Sequence, residues 1–361
     1  MHHRMLHNIM VLNVLKVFGL SALAFVIGVL VTPLLTHYLY KYKLWRKEVR
    51  MRAPDGAPTP IFSELHKERE TRVPRMGGIL IWGVTLFVTL LFWWFSKIDW
   101  PLFSKLNFFS RSQTWLPLFT LVAASLVGLA DDLWQTLGKG NYLAGGMRFS
   151  WRLVLIILIA AVGAWWFYSP AKLGQDSVFV PFFGDVALGA FFPIFFILVM
   201  LATFSGSVID GLDGLAGGVM ASAFAAYAGI AFFQEQIDLA AFSAVVAGAL
   251  GAFLWFNIPP ARFYMGETGI LGLTTSLTVV AFLTDAVLIL PIVALPLVLD
   301  SSSVIIQLFS KRFLGRKVFL VAPLHHHFEA LGWPSYKVTM RAWLLSIVAA
   351  IVGMVVALLG R

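Results

Sequence analysis

Cysteine is absent from the chain, and charged residues fill only 12% of its 361 positions. The first absence excludes disulfide bridges and thiolate metal sites. The second excludes an ordinary water-soluble domain, in which about a quarter of residues are charged. Sustained alternation of apolar and polar residues is also missing, so a closed β-barrel is excluded as the way of crossing a bilayer. What is present is a composition 59% hydrophobic and 15% aromatic, arranged in continuous apolar runs. They lie at residues 12–40, 76–96, 114–134, 151–169, 187–206, 211–232, 238–258, 268–283, 285–308 and 339–360. Most approach the roughly 20 residues that a helix needs to span the hydrocarbon. The expected fold is all-α, a polytopic integral membrane protein of about ten transmembrane helices in a single membrane domain over 1–361. The first run is long, leads into a basic segment and lacks a small-residue cleavage pattern, so it reads as a retained helix.

A formal net charge of +9 would suit a nucleic-acid partner, but in a polytopic chain basic residues must first be sorted by connection. Twenty of the 27 Lys and Arg fall on one side: they occupy a basic loop at 41–75, the connections near 139–152 and around Arg262, and the loop at 309–338 with Arg341 just after it. That side is expected to be cytoplasmic, no nucleic acid is expected to bind, and an even number of spans places both termini outside. The carboxylates collect on the same side. Asp131 and Asp132 end the third run, Asp210 and Asp213 join the fifth to the sixth, and Glu267 joins the seventh to the eighth. The loop at 309–338 adds His325, His326 and His327, with Glu329 close behind.

Carboxylates at a membrane boundary need water, a cation or a partner, because an ionised Asp at the bilayer centre costs about 2.5–3.5 kcal/mol on insertion scales. Hard oxygen ligands on one face favour Mg²⁺, which takes one or two carboxylates together with substrate phosphates. Zinc is disfavoured, since no thiolate accompanies the histidines and zinc motifs usually space them. Three consecutive histidines cannot share one helix face, so they are expected in a loop or in mixed roles. A secondary transporter would place its acids near the midplane and often carries repeats; here the acids sit at helix ends, and no repeat is evident.

The stretches "LADD", "DGLDGLA", "FNIPPARFYMGETG" and above all "APLHHHFEALGWP" resemble the phospho-N-acetylmuramoyl-pentapeptide transferase family, within the polyprenyl-phosphate N-acetylhexosamine-1-phosphate transferase superfamily. The resemblance runs from residue 74 to residue 337. It implies transfer of phospho-MurNAc-pentapeptide from UDP-MurNAc-pentapeptide to undecaprenyl phosphate at the cytoplasmic face of the bacterial inner membrane, giving lipid I and UMP for peptidoglycan synthesis. It also implies Mg²⁺ and a homodimer. A related transferase using another UDP-N-acetylhexosamine, such as UDP-GlcNAc, is the alternative.

Carried over residue by residue, the resemblance makes Asp131, Asp132, Asp210, Glu267, His325, His326 and His327 catalytic, with Glu267 and Asp210 toward the metal. Asp213, Asn257 and Tyr264 fall to the uridine pocket and the histidines to the diphosphate. Asp131 is expected to contact the acceptor phosphate, with Asp132 turned to the metal or to a basic neighbour. Four departures stand out: Gln135 where the family has Lys, Ser207 where it has Asn, Glu267 where it has Asp, and "ETRVPRMGG", with Glu70 and Arg75, where it has "KxGTPTMGG". Arg75, Lys139, Arg148 and Arg152 are the candidates to supply the missing positive charge toward the donor.

Overall fold

The computed structural model describes residues 9–47, 71–98, 101–138 and 146–361. Most of the basic loop, together with Glu70 and Lys139, lies outside the described residues. Among the described residues, eight helices are long and apolar enough to cross a membrane: α1 (Ile9–Lys41), α2 (Gly78–Phe95), α3 (Trp115–Leu137), α4 (Phe149–Tyr168), α5 (Gly189–Ile209), α6 (Leu215–Phe233), α7 (Ile237–Asn257) and α12 (Ser335–Leu359). Between α7 and α12 come α8 (Glu267–Leu283), the bent pair α9 (Val287–Val293) and α10 (Leu295–Leu314), and the short α11 (Leu324–Ala330). Together these elements occupy all ten apolar runs, and the chain is an all-α polytopic membrane protein. A four-residue antiparallel hairpin, Ser177–Val180 with Gly184–Ala187, joins α4 to α5.

Helix α8 is the axis of the bundle. Every residue from Thr268 to Phe282 is buried, which is why its sequence is apolar or small all round rather than striped. At 17 residues it is about 25 Å long at 1.5 Å per residue, less than the hydrocarbon thickness. Its neighbours shield it from lipid, so this length carries no mismatch. It packs most extensively against α3, and small residues set the spacing. A Cβ on Gly128 would lie 2.1 Å from the backbone oxygen of Glu267, and one on Gly272 would lie 2.1 Å from Ser125 Oγ. Close approach lets hydroxyls bridge the pair: Thr268 Oγ1 donates to the Ser125 carbonyl at 3.1 Å and Ser276 Oγ to the Pro117 carbonyl at 3.0 Å. Contacts of this kind hold helices together where lipid offers no hydrophobic drive. The result places the first residue of α8 beside the last turns of α3.

The run at 285–308, expected as one span, is broken. Helices α9 and α10 meet at 85°. Pro296, the second residue of α10, has no N–H to continue the ladder from α9, and its ring clashes with a carbonyl of the preceding turn. Ala294 accordingly leaves helical geometry at φ −104°, ψ 34°. The loop at 309–338 is likewise structured, since α10 continues to Leu314 and the histidines sit on α11.

The glycine spacing gives a direct test. Gly128→Ala is expected to force α3 and α8 apart, lowering stability by about 1–3 kcal/mol and with it the thermal midpoint of the detergent-purified protein. Gly83→Ala, on α2 with open space around its Cβ position, is expected to leave that midpoint unchanged or slightly higher. Equal midpoints for the two variants would overturn the account of the α3–α8 crossing.

Candidate active site

The N-terminus of α8 collects the carboxylates. Its first amides lack intrahelical partners and carry the positive end of the helix dipole. Thr268 N donates to Asp132 Oδ2 at 3.0 Å, and Gly266 N donates to Asp210 Oδ2 at 3.0 Å. Gly266 is required twice over. Its backbone, at φ 73° and ψ 174°, lies in a region open essentially to glycine alone, and a Cβ there would meet Asp132 Oδ2 at 2.4 Å. Glu267, the first residue of α8, stands between the two acids held by these amides.

Among the described residues, three arginines offset the charge of the cluster, two directly and Arg46 through Gln135. Arg152 from α4 places one nitrogen, Nη1, 2.9 Å from Glu267 Oε1 and 3.2 Å from Asp131 Oδ2. Arg75 Nε lies 3.3 Å from Asp132 Oδ1, and that aspartate is wholly buried. Arg46 donates through Nε and Nη2 to Gln135 Oε1, whose Nε2 in turn donates to Asp131 Oδ2 at 3.0 Å. Asp131 Oδ1 accepts Met147 N. Asp210, just beyond the end of α5, has its carboxyl raised above the usual carboxylate range by burial, against the pull of Arg75 and with the push of Glu267.

The neighbouring loops are stitched together through their backbones. Asn257 accepts Gly214 N on Oδ1 at 2.9 Å and donates from Nδ2 to the Phe263 carbonyl at 2.8 Å, tying the turn after Asp213 to the loop before Glu267. Asp213 Oδ2 accepts Ala261 N, and its carbonyl accepts Thr339 Oγ1 from α12. The "PRMGG" segment runs alongside: Tyr264 N donates to the Pro74 carbonyl, and Gly77 N and Gly78 N donate to the carbonyls of Tyr264 and Met265. Tyr264 itself is half-buried, and Ser207 lies in the turn before Asp210, whose N–H its carbonyl accepts at 3.3 Å.

The three histidines have different surroundings. His325 and His326 are buried. His325 Nδ1 lies 2.6 Å from Asp300 Oδ2, and its backbone N donates to Asp300 Oδ1. That leaves its buried Nε2 without a hydrogen bond, facing the turn at Gly211, where a Cβ would lie 2.3 Å away. His326 Nδ1 lies 2.7 Å from Glu329 Oε2. His327 turns elsewhere, accepting Leu320 N on Nδ1 and packing edge-on against Phe319.

Comparison with known proteins decides what this arrangement belongs to. The model of glycosyl transferase family 4 matches residues 114–285. The phospho-N-acetylmuramoyl-pentapeptide-transferase of Chloroflexus aurantiacus is 32% identical over 366 residues, covering 98% of this chain and 93% of the relative. The proteins of the same description from Anoxybacillus flavithermus and Levilactobacillus brevis are 34% and 33% identical, each covering 92% of this chain and 95% and 96% of the relative. The chain belongs to the phospho-N-acetylmuramoyl-pentapeptide-transferase family.

In this family member the departures from the common pattern have visible surroundings. Of the candidate replacement cations, Arg75 and Arg152 lie against the carboxylates and Arg148 is exposed at the start of α4. Two site residues escaped the reading of the sequence. Asp300 lay inside an apolar run, where a lone carboxylate is itself the signal, since acids within a span pair and carry function. Arg46 was one basic residue among ten in the loop at 41–75, and only its burial, at 2% exposure, sets it apart.

Asp300→Ala removes the partner of the His325 ring nitrogen Nδ1 together with the acceptor of the His325 backbone N–H. Loss of an orienting carboxylate of this kind typically costs 10- to 100-fold, so turnover of the transferase is expected to fall by about that factor with the fold retained. In a His325→Ala background the same substitution is expected to have little further effect, because the two act as one unit. Full additivity in kcat would show that Asp300 serves something other than the histidine.

Proposed function

We propose that this transferase moves phospho-MurNAc-pentapeptide from its UDP donor to undecaprenyl phosphate, releasing UMP, at the cytoplasmic face of a bacterial inner membrane. The observation that carries the reading is the gathering of Asp131, Asp132, Asp210 and Glu267 around the N-terminus of α8, beside Arg75 and Arg152, in a chain whose relatives bear that description. The face is argued from charge: the connections that hold these acids are those rich in Lys and Arg, and cytoplasmic loops carry that excess. Both termini are then outside. A homodimer, implied by the resemblance, belongs to the same proposal.

In the reaction, an oxygen of the acceptor phosphate bonds to the β-phosphorus of the donor. The bond from that phosphorus to the bridging oxygen breaks, and UMP leaves. The protein has little covalent work to do; positioning and electrostatic stabilisation dominate phosphoryl transfer. Arg75 and Arg152 are assigned to the donor phosphates, and His325, whose Nε2 faces the turn at Gly211 next to Asp210, to the diphosphate. Asp213, Asn257 and Tyr264 shape the nucleoside pocket, with Asn257 acting through the two backbones that it joins.

Mg²⁺ is part of the proposal. Mg²⁺ takes one or two carboxylates and completes its shell from phosphates and water. Glu267 and Asp210 would hold it, both being hard oxygen donors at one helix N-terminus. When bound it supplies neutralisation of charge on the diphosphate.

Purified protein in nanodiscs, given undecaprenyl phosphate and Mg²⁺, is expected to release UMP from UDP-MurNAc-pentapeptide and not from UDP-GlcNAc, with activity lost on chelation. Preference for UDP-GlcNAc would favour the related-transferase reading. The role of Asp131 is tested by pH. A phosphate monoester has its second pKa near 6, so a general base has little left to remove at neutral pH. The defects of Asp131→Asn and Asp132→Asn are therefore expected to stay constant from about pH 6 to 9, and a defect that closes at alkaline pH would identify a base.

A further inference from the structure

Gln135 lies one helical turn beyond Asp131 on α3, and both ends of its amide are used. Nε2 donates to Asp131 Oδ2, while Oε1 accepts from Arg46 Nε at 2.9 Å and Nη2 at 2.7 Å. All three residues are buried. An amide donates and accepts at once, so it joins a guanidinium, which only donates, to a carboxylate, which only accepts. No ionised residue fits between them. A lysine at 135 would suit Asp131 but face Arg46 with like charge, and a glutamate would do the reverse.

Arg46 is held where it can act. The segment carrying it is fixed by Arg75 N, which donates to the Leu44 carbonyl at 2.8 Å, so the stretch after α1 is tied to the residue that pairs with Asp132. Its charge also bears on Asp210. A buried cation costs several kcal/mol unless partners compensate it. Gln135 relays that compensation from Asp131, which in turn aligns the carboxylate toward Met147 N and Arg152.

We infer that Arg46 is a positioning residue for the transfer reaction, acting on Asp131 through Gln135, and that residues 46 and 135 form one unit whose single cation can sit on either member. The inference rests on the proposed function for its activity readout alone. Its sharpest consequence is a permitted exchange of charge: Arg46→Gln with Gln135→Lys keeps one cation and one amide in the same buried space.

The experiment compares the parent, Arg46→Gln, Gln135→Lys and the double variant in nanodiscs, measuring kcat, both KM values for UMP release, and the thermal midpoint. Each single variant is expected to lower kcat about 10- to 100-fold, the range for a lost charge-assisted hydrogen bond, with both KM values changed by less than about threefold. The double variant is expected to return to within about fivefold of the parent, because coupled residues are strongly non-additive. Singles that turn over like the parent would overturn the inference, as would a folded double no faster than the slower single. If Gln135→Lys alone fails to fold, recovery of folding in the double supports the unit and persistent failure overturns it. If the parent releases no UMP, the proposed function fails; the relay is then judged by whether the double restores the thermal midpoint lost in the singles.

Discussion

The close crossing of α3 and α8 is the constraint on which the site depends. Gly128 and Gly272 leave no room for side chains between the two backbones, so the first turn of α8 lies against the last turns of α3. That approach puts the Thr268 amide within reach of Asp132 and sets Glu267 near Asp131, with Arg152 between them, while the turn after α5 brings Asp210 to the Gly266 amide. Four carboxylates would not stay together on charge grounds. The helix N-terminus and three arginines make the gathering tolerable, and the same features suit a site that must later accept phosphates.

The remaining elements brace this centre from outside. Helix α12 fixes the Asp213–Gly214 turn through Thr339 and Trp343, Asn257 fixes the loop before Glu267, and α11 delivers two buried histidines. Gln307 on α10 holds the stretch before α11 by accepting Val318 N and Phe319 N and donating to the Phe319 carbonyl. Polar side chains thus spend their hydrogen bonds on backbone wherever a loop must be rigid, which leaves little backbone unsatisfied near the membrane.

Much of this was legible in the sequence, and the exceptions have physical causes. Continuous apolar runs mark helices because a bilayer demands internally satisfied backbone, and each run coincides with a helix or, at 285–308, a bent pair. The bend was hidden because Pro296 stands in the first turn of α10, where proline is tolerated, so hydropathy continues across the break. The hairpin was missed because strands of four residues carry too little pattern. Asp131, Asp132, Asp210 and Glu267 stood out as acids at the ends of apolar runs. Their arginine partners did not, because positive charge near a membrane already has a topological explanation, and only burial separates Arg46 from its neighbours.

Asp300 also bears on how the molecule is made. It is buried in α10, and the histidine that pairs with it lies 25 residues later in the chain. Synthesis runs from the N-terminus, so the carboxylate emerges from the ribosome ahead of its imidazole. For that interval the helix carries an acid that is costly to leave in hydrocarbon, with no stabilising contact yet available from α11. The order of residues along the chain therefore imposes a stage in biogenesis at which α10 is held less firmly than its final surroundings suggest, and arrival of the histidine segment closes it.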